Sequence, residues 1–473
     1  MIPTRLVALL VPLVLLVGCG DSGGGGSSTG SSTSWVRHWN QIAIDASGLD
    51  HTPVAPGETR VFGEQVGPGR SARAMAIVHI AVFDAIIAVR GGYESYTGLP
   101  RVRAKTSLKA AISQAAHDTL AALFPSQAAT FASYLADDLA RIRDGGPKTR
   151  GIDLGKRAAS AILALRADDG AAHAEPRYGV DYLPGGALGE WSQDPISLHP
   201  LALGAHWADV APFVLQSNDQ FRVPPPPALD SAAYAEAFNE AQSLGGDGIT
   251  TPTVRTADET HAGIFWAYDG TPSLCAPPRL YNQIATQIAE QRGLEDVVKT
   301  ARLLALVNVA MADAGTAIWE SKYYWKVWRP VTGIRDGADD GNDDTAGDAA
   351  FSPLGAPASN LTGPNFSPPF PAYPSGHAGF GGALFQVLRR FFGTDALPFT
   401  FVSDEYNGVT RDNQGNVRPY LPRSFDTLSE AEEENGQSRI YLGIHWAFDK
   451  TEGIVQGNRI ADYVYDNLYS ETR

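Results

Sequence analysis

Three short blocks in the C-terminal third of the chain combine the residue types that can hold a tetrahedral oxyanion and act on it. They comprise Lys322 with Arg329, the run Pro374-Ser375-Gly376-His377, and the set Ser438, Arg439, His445 and Asp449. Arg offers a planar fork of N–H donors that matches oxyanion oxygens, and Lys adds a point charge. The blocks therefore predict an oxyanion site with two histidines beside it.

The first block is two cations seven positions apart. If one helix continued through Lys322 and Arg329, the spacing of two turns would place both on one face and let them reach one anion. Pro330 marks a stop or a kink immediately afterwards. Taken alone, the pair is better explained as two solvated surface cations.

The second block precedes residues 378–392, which are predicted to form a helix. Ser375 suits the N-cap, and Gly376 allows close approach of the backbone. The first amides of such a helix point at an anion along a favourable dipole, with His377 at the same end, where it can move a proton. The alternative is a plain Ser cap followed by an incidental His.

The third block pairs a histidine with a carboxylate. On one helix His445 and Asp449 would be neighbours, four positions apart. A carboxylate can fix the tautomer of a histidine, so that the other ring nitrogen is free to bind a metal. Arg439 supplies the third cation. A surface ion pair is the alternative for this block in isolation.

Helical periodicity dominates the rest of the chain, and no series of strands alternates with period two. We therefore predict an all-α fold of two four-helix bundles with long irregular loops, divided into halves 35–250 and 251–473. Residues 178–227, rich in Pro, Gly, Trp and Asp, form the longest predicted irregular segment. Helices are predicted at 72–89, 107–123, 128–143, 150–166, 230–244, 256–268, 278–292 and 294–322.

Composition excludes several classes of protein. The 473 residues carry a net charge of −15, which argues against a nucleic-acid surface. Two cysteines give neither a disulfide framework nor a zinc-ligand set. Methionine is scarce too, which suits a protein that releases an oxidant but also follows from GC-rich codon usage. His79 and Asp84, inside a buried helix, are predicted to be a satisfied polar pair of the core.

The N-terminus predicts export and a lipid anchor. Residues 1–18 have a positive start and an apolar run too short to span a bilayer, as in a signal peptide. The sequence ending in Cys19 resembles a bacterial lipobox, which implies lipidation of the Cys19 thiol. Residues 19–34 are a Gly/Ser-rich tether. We expect an extracytoplasmic protein anchored to a bacterial membrane, inner or outer; an ordinary secretory signal is the alternative.

The Asp-rich loop 336–348 has only part of a calcium-binding pattern. Thr345 stands where such a loop needs Gly, and Phe351 stands where it needs a bidentate Glu. We predict a solvated acidic loop, and leave calcium binding there open.

Taken together, the three blocks resemble the signature of the vanadium-dependent haloperoxidases, within the type 2 phosphatidic acid phosphatase superfamily. That signature is Lys, six residues, Arg-Pro; then Pro-Ser-Gly-His; then Ser-Arg, five residues, His, three residues, Asp, and every position matches. Residues 279–284, 370–373 and 440–446 also resemble the chloroperoxidase-like branch.

The resemblance implies vanadate as cofactor and assigns a role to each residue. His445 would bind vanadium, His377 would be the acid–base residue with Asp269 as its carboxylate partner, and Trp319 and Phe370 would line the halide side. The vanadate oxygens would be held by Lys322, Arg329, Ser375, the Gly376 amide and Arg439. Lys322 would also polarise the bound peroxide.

The implied activity is oxidation of a halide by hydrogen peroxide to hypohalous acid, which then halogenates a small organic acceptor. Vanadium would stay at V(V) as a Lewis acid. Phosphate has the shape of vanadate, so the first alternative is an acid phosphatase with a phosphohistidine at His445. A non-enzymatic surface lipoprotein is the second. Halide preference, acceptor and oligomeric state stay open.

Overall fold

The computed structural model describes residues 31–472, so the predicted signal peptide, Cys19 and most of the tether lie outside the described residues. Thirteen α-helices occur in this part of the chain. They are α1 Ser32–Asp50, α2 Pro68–Arg90, α3 Leu108–Leu123, α4 Ala128–Ala140, α5 Gly146–Leu165, α6 Ala232–Gly245, α7 Ala257–Phe265, α8 Pro277–Gln291, α9 Val297–Trp325, α10 Pro330–Arg335, α11 Gly376–Phe392, α12 Leu428–Tyr441 and α13 Ala447–Asn467.

The all-α prediction is confirmed, with one small exception. Strands β1 Phe399–Phe401 and β2 Arg423–Phe425 pair antiparallel as a two-stranded sheet. Every helix predicted from periodicity is present, and its ends differ from the prediction by a few residues. Caps define the starts of two helices. Ser231, and not Asp230, caps α6, and Ser31 caps α1, which therefore begins inside the predicted tether.

Two groups of helices build the core. In the first, α2, α3 and α5 pack together, with α1 and α4 against α3; in the second, α9, α11 and α13 pack together, with α8 and α12 beside them. Helices α2 and α9 join the groups through an extensive contact. One continuous hydrophobic cluster includes residues on both sides of position 250, so the two predicted halves share a core.

Helices α2 and α9 are long and apolar enough to cross a membrane by length and composition. The most apolar 18-residue windows of these two helices are 89% and 94% buried inside the protein, respectively. Their apolar character on every face is therefore explained by their position at the centre of the fold.

The long irregular segment lies against the C-terminal half. Glu190 forms an isolated bridge with Val327, and the Leu203 amide donates to the Pro369 carbonyl at 2.9 Å. Both contacts fall on stretches that connect predicted site residues. The segment therefore packs against stretches of chain that lie within or between the three blocks.

His79 and Asp84 do not form the predicted core pair. Asp84 accepts hydrogen bonds from Ser95, Tyr96 and Thr97, whereas Nε2 of the buried His79 has no partner among residues 31–472. Burial alone lowers the pKa of His79 to about 3, so the ring is neutral.

The acidic loop is held by internal hydrogen bonds and by contacts with α6 and the residues before it. Asp340 accepts from the Asn342 amide and from the Thr345 hydroxyl. No group of three or more His, Cys, Asp or Glu side chains suited to a metal ion occurs within the described residues.

Candidate vanadate-binding site

Lys322 and Arg329 meet at the site although they do not share a helix. Helix α9 ends at Trp325, and Lys326 has the left-handed φ of 51° that turns the chain away. Arg329 then occupies the N-cap position of α10. Lys322 Nζ donates to the carbonyls of Pro371 and Ala372, both at 2.8 Å, and Arg329 Nε donates to the Phe370 carbonyl at 2.9 Å. Both cations thus fix the 370–372 backbone.

The second block lies where the sequence predicts it. Ser375 is the N-cap of α11, and its hydroxyl accepts from the Ala378 amide. Its own amide donates at 2.9 Å to the carbonyl of Asp449, which belongs to the third block. Ser375 is fully buried, and His377, in the first turn of α11, is 6% exposed.

His445 lies in the short link between α12 and α13, with its tautomer fixed by two contacts. Its Nδ1 is 2.7 Å from Asp449 Oδ2, the side chain at the third position of α13. Its Nε2 is 2.9 Å from Arg329 Nη1, which can only donate. Nε2 therefore carries the lone pair and Nδ1 the proton, the arrangement that leaves Nε2 available to a metal.

Asp269 contacts Arg439 more closely than it contacts His377. Arg439 Nη2 donates to Asp269 Oδ1 at 2.7 Å, whereas His377 Nε2 is 4.0 Å from the same oxygen. His377 Nε2 instead hydrogen-bonds to the Ala267 carbonyl. The predicted carboxylate–histidine pair is thus a three-membered group, in which Asp269 lies between an arginine and the histidine.

Lys322, Arg329, Ser375, Gly376, Arg439 and His445 form a buried group that we name the cradle. Three of its guanidinium nitrogens, Arg329 Nη2 and Arg439 Nε and Nη1, have no hydrogen-bond partner in the part of the chain that the structure describes. Leaving buried charged donors unsatisfied is costly. A buried cluster of three cations with free N–H groups fits a multiply charged oxyanion such as vanadate.

Two aromatic rings border one side of the cradle. The Trp319 and Phe370 ring centroids are 4.9 Å apart. Lys322 Nζ lies 5.1 Å and the Arg329 guanidinium carbon 5.0 Å from the Phe370 centroid. The two rings therefore provide an apolar wall beside two cations.

Known proteins resemble this chain over most of its length. The family described as "VCPO second helical-bundle domain" matches residues 302–472. The vanadium chloroperoxidase of Curvularia inaequalis is 32% identical, and the match covers 88% of this chain and 79% of that protein. The chain belongs to the vanadium haloperoxidase family.

Solved structures agree on the fold of this vanadium haloperoxidase. A bacterial vanadium-dependent iodoperoxidase superposes with a TM-score of 0.71 and 22% identity, covering 93% of this chain and 97% of that one. A holo-type bacterial vanadium-dependent chloroperoxidase gives 0.66 and 17%, covering 90% and 97%. The protein is an enzyme with vanadate as cofactor, and hydrogen peroxide and a halide are its substrates.

Burial governs the protonation of the haloperoxidase site. It lowers the pKa of Lys322, His377 and His445 well below their usual values, and the neighbouring cations lower the histidine values further. Burial also raises the pKa of Asp449 to about 7, although the Trp446 amide, Lys322 and Arg329 oppose this shift. A bound anion would favour the protonated, charged form of Lys322.

Two residues that support His377 received no role from the sequence. The Tyr281 hydroxyl lies 2.9 Å from the His377 carbonyl, and Asn435 Nδ2 donates to that carbonyl at 2.9 Å. Tyr281 falls in the stretch 279–284 that resembles the chloroperoxidase-like branch, so that stretch was a usable signal. Asn435 stands three positions before Ser438 with no distinguishing pattern.

Proposed function

We propose that the cradle binds vanadate, with His445 Nε2 as the metal ligand and the other cradle groups on the vanadate oxygens. The observation that carries this proposal is the set of free guanidinium N–H groups beside the Nε2 lone pair. Asp449 accepts the Nδ1 proton and so keeps Nε2 basic. The Ser375 hydroxyl and the Gly376 amide add neutral donors at the start of α11.

When bound, vanadate supplies a Lewis acid that activates hydrogen peroxide toward the halide, while the oxidation state of vanadium stays the same. The protein supplies charge and a base. Because His377 Nε2 hydrogen-bonds to the Ala267 carbonyl, Nε2 carries the proton and Nδ1 is left to accept one. Lys322 contributes a further donor toward the peroxide. Asp269 positions Arg439 through their 2.7 Å contact.

The halide approaches along Trp319 and Phe370 in this proposal. Apolar rings next to Lys322 and Arg329 suit a monovalent anion, because its attraction to the two cations is stronger in a buried setting than in water. The oxidised halogen then reacts with a small electron-rich organic acceptor. The relatives named above are a chloroperoxidase and an iodoperoxidase, so the halide preferred by this chain is left to measurement.

One assay tests this function. Purified protein is given vanadate, peroxide, bromide and a phenol-red-type acceptor, with His445→Ala as the variant. We expect bromination that depends on vanadate and is lost in His445→Ala. Full activity in that variant would remove the ligand assignment. Brisk phosphate-ester hydrolysis without vanadate, and no bromination with it, would favour the phosphatase alternative.

We further propose that the enzyme is exported and held at a bacterial membrane through Cys19. The apolar run, the lipobox-like sequence and the Gly/Ser tether support this location. Wild type should stay with membranes and incorporate labelled palmitate, whereas Cys19→Ser should incorporate none. Label in Cys19→Ser equal to that in wild type, or no label in wild type, would contradict the anchor.

A further inference from the structure

Trp319 is held between two glycines at opposite edges of its indole ring. Gly204 has a φ of 77°, and a Cβ at that position would lie 2.3 Å from both Trp319 Cδ1 and Nε1. At the other edge, a Cβ on Gly376 would lie 3.4 Å from Trp319 Cη2 and 4.0 Å from Lys322 Cε. The indole therefore extends from the Gly204 backbone to the cradle, with no spare space at the Gly204 end.

The backbone beside Gly204 is also hydrogen-bonded to Trp319 itself and to the residue that precedes Phe370. The Leu203 carbonyl accepts from Trp319 Nε1 and from the Tyr323 hydroxyl, both at 3.0 Å. The Leu203 amide donates to the Pro369 carbonyl, next to Phe370. One turn, Leu203-Gly204, thus sets the positions of Trp319 and Phe370 together.

A buried ion pair fixes that turn in place. Glu175 Oε2 accepts from the Gly204 amide at 2.6 Å, and Glu175 Oε1 accepts from Arg70 Nε at 3.1 Å. The two side chains are 10% and 13% exposed, so the pair is largely shielded from solvent. Behind Trp319 lies a narrow cleft of about 10 Å³, room for about one water molecule, which Gly204 and Glu175 help to line. Trp319 can therefore move toward Gly204 only if the turn itself moves away.

We propose that Gly204 is a specificity-determining residue, and that its turn, held by Glu175, selects halides by size. The absence of a side chain at position 204 sets how far Trp319 reaches toward Phe370 and Lys322, and hence the space left for the halide. This inference rests on the halide role proposed for Trp319 and Phe370. Gly204 acts through Trp319 and does not touch the halide.

The first test adds one methyl group behind the ring. In Gly204→Ala the new Cβ pushes Trp319 toward the cradle and narrows the halide side. Because one methyl group in a pocket changes selectivity by about tenfold or more, we expect the iodide-to-chloride ratio of kcat/KM to fall about tenfold. Vanadate affinity, measured separately by titration of the apoenzyme, reports on the cradle alone.

The second test removes the contact that holds the turn and adds no atoms next to Trp319. Glu175→Ala removes the acceptor of the Gly204 amide, while Arg70 keeps its bonds to the Ala171 and His173 carbonyls. The turn can then move away from Trp319 and let the ring shift away from the cradle, so the iodide-to-chloride ratio should rise. Gly355→Ala is the matched control for strain, because Gly355 is also buried with a φ of 74° but lies away from Trp319. Its ratio should equal that of wild type.

Opposite shifts in the two variants support the proposal. Equal losses for all halides in Gly204→Ala, or an unchanged ratio in Glu175→Ala, overturn it. If Gly204→Ala does not fold, the Glu175→Ala ratio alone decides. Phe370→Leu distinguishes a failure of the Gly204 proposal from a failure of the proposed halide side. If Phe370→Leu alters the halide KM but the turn variants do not change the selectivity, only the role of Gly204 is removed. An unaltered halide KM removes the proposed halide side itself.

Discussion

The orientation of His445 within the cradle is set at its Nδ1 atom. Asp449 accepts the Nδ1 proton at 2.7 Å, and the same oxygen accepts from the Trp446 amide at 2.9 Å. The carboxylate is fully buried and bonded in two directions, so it cannot rotate away without losing both contacts. The orientation of the ring that would bind vanadium therefore depends on a residue that does not touch the cofactor.

Asp449→Asn should weaken vanadate binding by about 10- to 100-fold, because the second partner of a metal-bound histidine has effects of that size. The amide oxygen can still accept from Nδ1, so the ring stays in place and the loss reflects lower basicity of Nε2. Vanadate titration of the apoenzyme measures it. Asp462→Asn, on the same helix but 44% exposed at its side chain, is the control. A wild-type affinity in Asp449→Asn would contradict the role given to this carboxylate.

His79 makes stability depend on pH in a way unrelated to catalysis. Its pKa in the folded protein is about 3, against 6.5 when unfolded, so the unfolded chain binds more protons between these values. The free energy of unfolding is therefore unaffected by His79 above pH 6.5. As the pH falls from 6.5 toward 3, it decreases by up to about 1.4 kcal/mol per pH unit. His79→Leu should flatten this slope in urea unfolding at pH 4 to 7. Parallel slopes for wild type and variant would contradict this account.

At the residue scale, the sequence indicated which residues lie at the site better than it indicated which of them contact one another. The blocks identified Lys322, Arg329, Ser375 and His445, because their chemistry and spacing are local. The contact between Asp269 and Arg439 spans 170 positions. It depends on the backbone at Tyr268, whose φ is 47° in the left-handed region. No local pattern encodes such a bend for a buried aromatic residue.

Among the elements, the link between Lys322 and Arg329 shows where helical spacing misleads. Seven positions would align the two residues on a straight helix, but α9 stops at Trp325. Residues 326–328 then run beside 189–191, through the Glu190–Val327 bridge. The cations converge because a distant segment redirects the chain, and periodicity within residues 322–329 carries no information about that segment.

Helices α11 and α13 touch backbone to backbone, which couples the second and third blocks. A Cβ at Gly457 would lie 2.1 Å from the Gly379 carbonyl oxygen. Gly457→Ala must therefore separate the helices, and we expect a loss of about 1–3 kcal/mol in the free energy of unfolding. Vanadate affinity should fall too, because α11 begins at Ser375 and α13 carries Asp449. Val455→Ala, at a site 44% exposed on α13, is the control. Stability equal to wild type in Gly457→Ala would contradict the close packing.

Over the whole molecule, the two groups of helices depend on each other. Helix α9 carries Lys322 and is buried on every face from Leu303 to Lys322, partly against α2 from the N-terminal half. A fragment of residues 251–473 contains the entire cradle but would expose that face. We expect it to aggregate or to lack cooperative thermal unfolding, and to bind no vanadate. A soluble fragment with a sharp melting transition would show that the C-terminal half is an independent domain.

The sulfur atoms in the folded part of the chain are buried away from solvent. Residues 31–472 include three sulfur-bearing side chains, those of Met75, Met311 and Cys275, which are 1%, 0% and 0% exposed. Thioethers and thiols are the side chains that oxidants attack first, yet here none faces the medium into which hypohalous acid escapes. Chemical damage to the enzyme during turnover should therefore begin at exposed aromatic rings, such as that of Tyr420, which is 65% exposed. Halogenated tyrosine should accumulate long before methionine sulfoxide does.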